Sequence, residues 1–179
     1  PLDVYYGPQT QRAFNNFPVS GMKLPRAFIR AQGWIKACAA QVHQELGEMK
    51  DTIADAIVRA ALEVAEGSWD DQFVVDVYQA GAGTSQNMNA NEVIANRALE
   101  LLGYERDRYD IIHPNDDVNR GQSTNDTIPT AMYISTYETL QTDLLPALER
   151  LTGRLEEKAD TFMEVIKSGR THLQDAVPI

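Results

Sequence analysis

Residues 144–166, LLPALERLTGRLEEKADTFMEVI, place Leu144, Leu148, Leu151, Leu155, Ala159, Phe162 and Ile166 in steps of four, three, four, four, three and four. Such steps keep one stripe of an α-helix apolar, and a stripe this long is a seam between packed helices. The positions between are largely polar or charged, so other helices must cover the stripe. This chain does not offer enough of them, which predicts association with further copies.

Working outward, the preceding segments also read as helices. Residues 25–46 carry Phe28, Ile35, Ala39, Val42 and Leu46 near the helical period, with Pro25 suited to a first turn. Residues 51–66 put Ile53, Ile57, Ala61 and Val64 on one face, with Asp51 at the start and Gly67 as a stop. Residues 91–102 repeat the pattern through Val93, Ile94, Ala98 and Leu101, closed by Gly103. Pro146 is incompatible with a helix interior. The end of the chain therefore splits into a helix over about residues 127–141 and another from about 144, which Gly169 ends. The opening to residue 21 shows no helical period and reads as an extended arm. Residues 73–77 are the best strand candidate. The fold class is mainly all-α.

Composition narrows the function. With 179 residues and 43% hydrophobic side chains the chain can build a core. Its 26 acidic against 16 basic residues give a formal charge of −10 with no basic run, which argues against nucleic acid as a partner. No stretch approaches the roughly 20 apolar residues of a membrane span, and the opening lacks a signal-peptide pattern. The single cysteine, Cys38, reads as core filler within a helix. These features favour a cytoplasmic protein.

Three polar segments remain to be explained. GAGTSQNMN, residues 81–89, gathers glycines, hydroxyls and amides ahead of a helix. Glycine lets the backbone approach a ligand, and a helix N-terminus offers unpaired N–H groups and partial positive charge, so this segment suits an anion. Its ordinary reading is a capped loop. HPNDDVNRGQSTND, residues 113–126, again leads into a helix, with Ser123, Thr124 and Asn125 as consecutive donors and Asp126 as the cap in the ordinary reading. GRTHLQD, residues 169–175, sets His172 beside Thr171 and near an acid, where an imidazole can move protons near neutral pH. No paired-cysteine site, His-Glu helix motif, GxGxxG or P-loop occurs, so no metal, nucleotide or flavin cofactor is expected.

GAGTSQNMNANEVIANRALELLG, HPNDDVNRGQSTNDTIPTAM and SGRTHLQDAVPI resemble, almost position for position, segments of aspartases and class II fumarases. YYGPQTQRAFNNFPVSG and DQFVVDVYQ are similar to the same family, so the resemblance covers nearly the whole chain. It implies an N-terminal lyase domain over residues 1–125 and the beginning of a central long-helix bundle domain over 126–179. It also implies a homotetramer whose active sites are shared between subunits. In this family a base removes a proton beside one carboxylate of a four-carbon dicarboxylate, giving an aci-carboxylate, after which the neighbouring group leaves and fumarate forms.

The resemblance assigns substrate binding to Thr84, Ser123, Thr124, Asn125, Thr171 and His172, the last two also acting at the leaving group. Asn87 and Gln174 are candidates for support. His113, Asn115 and Asp116 resemble a second dicarboxylate site. The family's serine base lies on a loop of pattern GSSxMPxKxN, which this sequence lacks, so the chain alone is expected to be inactive. GAGTS, FVVDV, STND and LQDAVP look aspartase-like, whereas HPNDD and QTQR look fumarase-like. The features nearest the substrate positions, Thr124 above all, lean to aspartate ammonia-lyase. Class II fumarate hydratase is the alternative, and a non-catalytic structural member is a further one.

Overall fold

The computed structural model describes residues 3–169 and 172–174. The chain divides into two compact units, Pro1–Glu138 and Thr139–Ile179. Both are helical, and an antiparallel bridge joins Lys23 to Asp76. The all-α expectation holds.

In the first unit α3 (Asp51–Glu66) and α4 (Thr84–Leu101) form the centre. Ile57, Ala60, Ala61 and Val64 from α3 meet Val93, Ile94, Ala98 and Leu99 from α4, all fully buried, and Phe73, Ile112 and Val118 close the ends. Gly67 terminates α3 in the left-handed conformation, φ 97°, and the Ser68 N–H returns to the Glu63 carbonyl.

Helix α2 (Arg26–Glu45) packs on α3 through small residues, and this rotates its buried face away from the predicted one. Phe28 is buried as expected, but Val42 and Leu46 are exposed, while Ala31, Gln32, Gly33, Lys36, Ala37 and Ala40 face inward. Gly33 explains the rotation: a Cβ there would lie 2.7 Å from the Ala61 carbonyl oxygen. Only a hydrogen permits so close a crossing, and Trp34, Val42 and Leu46 are left on the far side. Cys38 falls on that side too and is exposed, so it is not core filler.

Two further expectations are corrected. The opening arm contains a helix, α1 (Pro8–Asn16), because a carboxylate from α4 satisfies its N-terminal donors. Helix α4 begins at Thr84 rather than residue 91, since the amides of Gln86, Asn87 and Asn89 find partners while in the helix. Asn89, for example, accepts the Val74 N–H at 3.0 Å and donates to the Gln72 carbonyl at 2.9 Å. That side chain occupies backbone groups a neighbouring strand would have used, so residues 73–77 stay extended beside one bridge.

Asp76 fastens this extended segment to the turn at residues 20–21. Its carboxylate accepts the N–H groups of Ser20, Gly21 and Tyr78 at 2.7, 2.7 and 2.9 Å and the Ser20 hydroxyl at 2.8 Å. Burial alone would push its pKa up, but these donors outweigh it and hold the carboxyl down at about 2. A carboxyl depressed below its unfolded value contributes stability above the unfolded pKa and loses it as pH falls through the folded one. In full-length protein, thermal midpoints measured between about pH 5 and 2 should therefore fall less steeply for Asp76→Asn than for the unmodified protein. Parallel curves would rule out this carboxylate as a source of the acid response.

Helix α5 (Thr124–Thr139) packs on α2 through Ile128 and Ala131 against Phe28 and Ala31. It starts before the expected residue 127, and Ser123 caps it in place of Asp126: the Ser123 hydroxyl accepts the Asn125 N–H at 3.3 Å and its carbonyl accepts the N–H groups of Asp126 and Thr127 at 3.0 Å.

The second unit is built on α6 (Leu145–Phe162), entered through a π-helical turn, Leu140–Leu144. Pro146 has no N–H for the carbonyl four residues back, and the wider turn before it absorbs that loss. The helix ends at Phe162, short of Gly169. Among the described residues of this unit the seam is exposed, Leu148 to 47% and Leu155 to 62%. Among the described residues no helix is long and apolar enough to cross a membrane.

Candidate functional site

The N-termini of α4 and α5 meet at one cavity of about 400 Å³. Gly81, Ala82 and Gly83 line it from the α4 side, Thr124, Asn125, Ile128 and Pro129 from α5, and Leu24, Phe28 and Val77 among its apolar wall. None of its lining residues carries a charge. Gly83 is required at the junction: its φ is 87°, and a Cβ would stand 2.8 Å from the Ile128 side chain. Gly83 has no side chain to cap the first turn of α4, and Gln79 Oε1 accepts one of its N–H groups, that of Gln86, at 2.7 Å.

Thr84, the first residue of α4, keeps its hydroxyl 3.4 Å from where a Cβ on Gly81 would sit. Thr124 opens α5, and its Oγ1 accepts from the Asn87 amide at 3.3 Å. Asn125 and Ser123 are exposed beside it. The segments at 81–89 and 122–126, separated by more than thirty residues, are thus brought to one place.

Asn87 is the hub. Buried to 4% exposure, it donates to Asn119 Oδ1 at 3.0 Å as well as to Thr124. The Thr127 hydroxyl has the Ser123 carbonyl at 3.2 Å and Asn87 Oδ1 at 3.5 Å as acceptors for its one proton. Behind it stands Lys36, whose Nζ donates to Asn119 Oδ1 at 2.8 Å and Gln122 Oε1 at 2.9 Å. Lys36 is 1% exposed, and burial pushes its pKa down to about 7. The sequence reading missed Lys36, Asn119 and Gln122. The available signal was a lysine in line with Gly33, Ala37 and Ala40, the small residues of the packed face.

His113 takes a local role in this geometry. Its Nδ1 accepts the N–H groups of Asn115 at 3.3 Å and Asp116 at 3.1 Å, capping the turn Pro114–Val118, and its ring meets Tyr109 edge-on at 6.0 Å. His113 and Asn115 line a separate cavity of about 400 Å³ with Gln9, Met88, Glu92 and Tyr109. Asp116 is exposed, 3.4 Å from His113 Nδ1. In the second unit, His172 and Gln174 are exposed. Thr171 lies outside the described residues.

The family model described as a lyase matches residues 1–179. The chain is 58% identical over 180 residues to a class II fumarate hydratase of Halobacterium salinarum, covering all of this chain and 38% of that protein. It is 51% identical over 177 residues to an aspartate ammonia-lyase of Bacillus subtilis, covering 99% of this chain and 37% of that protein. Among solved structures it matches a fumarate lyase:delta crystallin from Brucella melitensis with a TM-score of 0.94 and 50% identity, covering 100% of this chain and 42% of that one. A class II fumarase from Schistosoma mansoni matches with a TM-score of 0.91 and 44% identity, covering 100% and 38%. The chain spans well under half the length of these relatives. With a lyase family model matched from end to end and such structural agreement, the chain belongs to the aspartase/fumarase superfamily of lyases.

Proposed function

We propose that the protein to which this chain belongs forms fumarate from a four-carbon dicarboxylate by β-elimination. The observation that carries the reading is the uncharged cavity between two helix N-termini, lined by Thr124, Asn125 and three residues of the glycine turn. Such a site holds a carboxylate by hydrogen bonds and helix partial charge without a salt bridge. The same donors, fixed before substrate arrives, stabilise the doubled charge of an aci-carboxylate better than water that must reorient. Thr84, Ser123, Thr124 and Asn125 bind carboxylate. Thr171 and His172 orient the leaving group, and His172 exchanges protons with it. A second dicarboxylate site at His113, Asn115 and Asp116 is the weaker part of this reading, because His113 Nδ1 already serves the backbone.

For the leaving group, one class II fumarate hydratase at 58% identity supports water, while others at 48–52% stand level with an aspartate ammonia-lyase at 51%. Thr124 supports ammonia, as the sequence suggested. That argument weakens once the side chain is seen, since what Thr124 presents to Asn87 is an Oγ that serine also has. We therefore place hydration of fumarate and dehydration of L-malate first and the aspartate reaction second. The uncovered seam of α6 supports a homotetramer with shared sites, and the division into a lyase domain over residues 1–125 and a bundle domain from 126 belongs to the same proposal, as does a cytoplasmic location.

The test is the ultraviolet absorbance of fumarate produced by full-length protein from L-malate and from L-aspartate offered separately. Fumarate from malate alone supports the hydratase, and from aspartate alone the ammonia-lyase. Fumarate from neither sinks both.

A further inference from the structure

Lys36 is the one buried cation beside the candidate site whose described partners are all neutral amides. It reaches Asn119 and Gln122 from α2, and Asn119 passes the connection to Asn87, which holds Thr124. The titratable groups on the surrounding elements are engaged elsewhere. His43 on α2 faces Glu48 and the Arg120 carbonyl, Asp117 pairs with Arg120, and Glu92 on α4 caps α1. A buried ammonium with no carboxylate to balance it is costly, and the cost falls when an anion arrives nearby.

We propose that Lys36 is a positioning residue of the fumarate-forming site, fixing Asn87 and Thr124 from the interior through Asn119 and supplying the positive charge that the cavity's own lining lacks. This rests on the functional reading above. Its effect falls on substrate binding, since Lys36 does not line the cavity and reaches Thr124 only through Asn119 and Asn87. Because burial leaves Lys36 with a pKa of about 7, the unliganded site loses this charge as pH rises past neutrality. A bound dicarboxylate favours the ammonium and draws a proton in.

The experiment uses full-length protein, with KM and kcat followed between about pH 6 and 9 and succinate as a non-reacting dicarboxylate. In unmodified protein KM should climb above about pH 7, and calorimetry in two buffers of different ionisation heat should show proton uptake on succinate binding. Lys36→Met should raise KM and the succinate inhibition constant about 10- to 100-fold, the range of a lost charge-assisted hydrogen bond, and remove the climb with pH. Its kcat should stay within about threefold. Folded Lys36→Met with unchanged KM, or with a loss confined to kcat, overturns the proposal.

If Lys36→Met does not fold, Asn119→Ala decides, because it keeps the lysine and cuts its link to Asn87. A KM raised about tenfold supports the relay, and an unchanged KM overturns it. Failure of the functional reading is told apart in the unmodified protein, which would then form no fumarate from either substrate, and Lys36 would fall with it.

Discussion

Glu92→Ala should destabilise the full-length protein by about 3 kcal/mol, the largest stability effect expected of any single polar substitution in the first unit. Glu92 is 1% exposed on α4, and its carboxylate accepts the N–H groups of Gly7, Gln9 and Thr10, each at 2.9 Å, and the Thr10 hydroxyl at 2.6 Å. These are the donors a helix leaves unpaired at its N-terminus, and the full negative charge opposes the positive end of α1. Each charge-assisted bond contributes roughly 1.5–3 kcal/mol, but the four share two oxygens and water can reach some donors once the side chain is gone, so the sum is well below four times that. Glu92→Gln keeps the volume yet turns an amide N–H₂ toward donors, and should recover only part of the loss. Denaturant midpoints give the magnitude. Hydrogen exchange at residues 7–10 gives the location, and unaltered protection there would show that α1 does not depend on Glu92.

Asn125→Ala should lower kcat/KM by about 10²- to 10³-fold while leaving the thermal midpoint nearly unchanged. The side chain is exposed at the cavity between α4 and α5, with little packing to lose. Its proposed work is confined to the carboxylate as charge builds on it, where one pre-aimed donor is worth roughly 3 kcal/mol. Thr124→Ser is the companion variant. It retains the Oγ that Asn87 contacts, so activity should persist and the preference between malate and aspartate should not reverse. If Asn125→Ala keeps full activity, the cavity is not where substrate binds.

Much of the fold could be read without coordinates. The burial of Ile57, Ala61 and Val64 on α3 and of Val93, Ile94 and Ala98 on α4 followed from spacing alone, because these helices bury an apolar stripe against each other. Helix α2 departs from its period for the complementary reason. Its buried side is chosen by how closely it can approach α3 at Gly33, and Trp34, Val42 and Leu46 are consequently outside. The polar start of α4 likewise reads as a loop, since periodicity registers apolar residues and cannot register an asparagine whose partner lies on another segment.

The sequence by itself determined the helical class, the uncovered seam of α6 and the residue types of the candidate site. Each depends on local period or on the chemistry of single side chains, and long segment likeness supplied the family. Only the tertiary structure decided that residues 81–83 and 124–125 line one cavity, that Asn87 is its hub, that Lys36 stands buried behind it and that His113 caps a turn. Those facts depend on which distant segments touch. Contact between them is fixed by helix packing at Gly33, Gly83 and Ile128 and leaves no periodic trace along the chain.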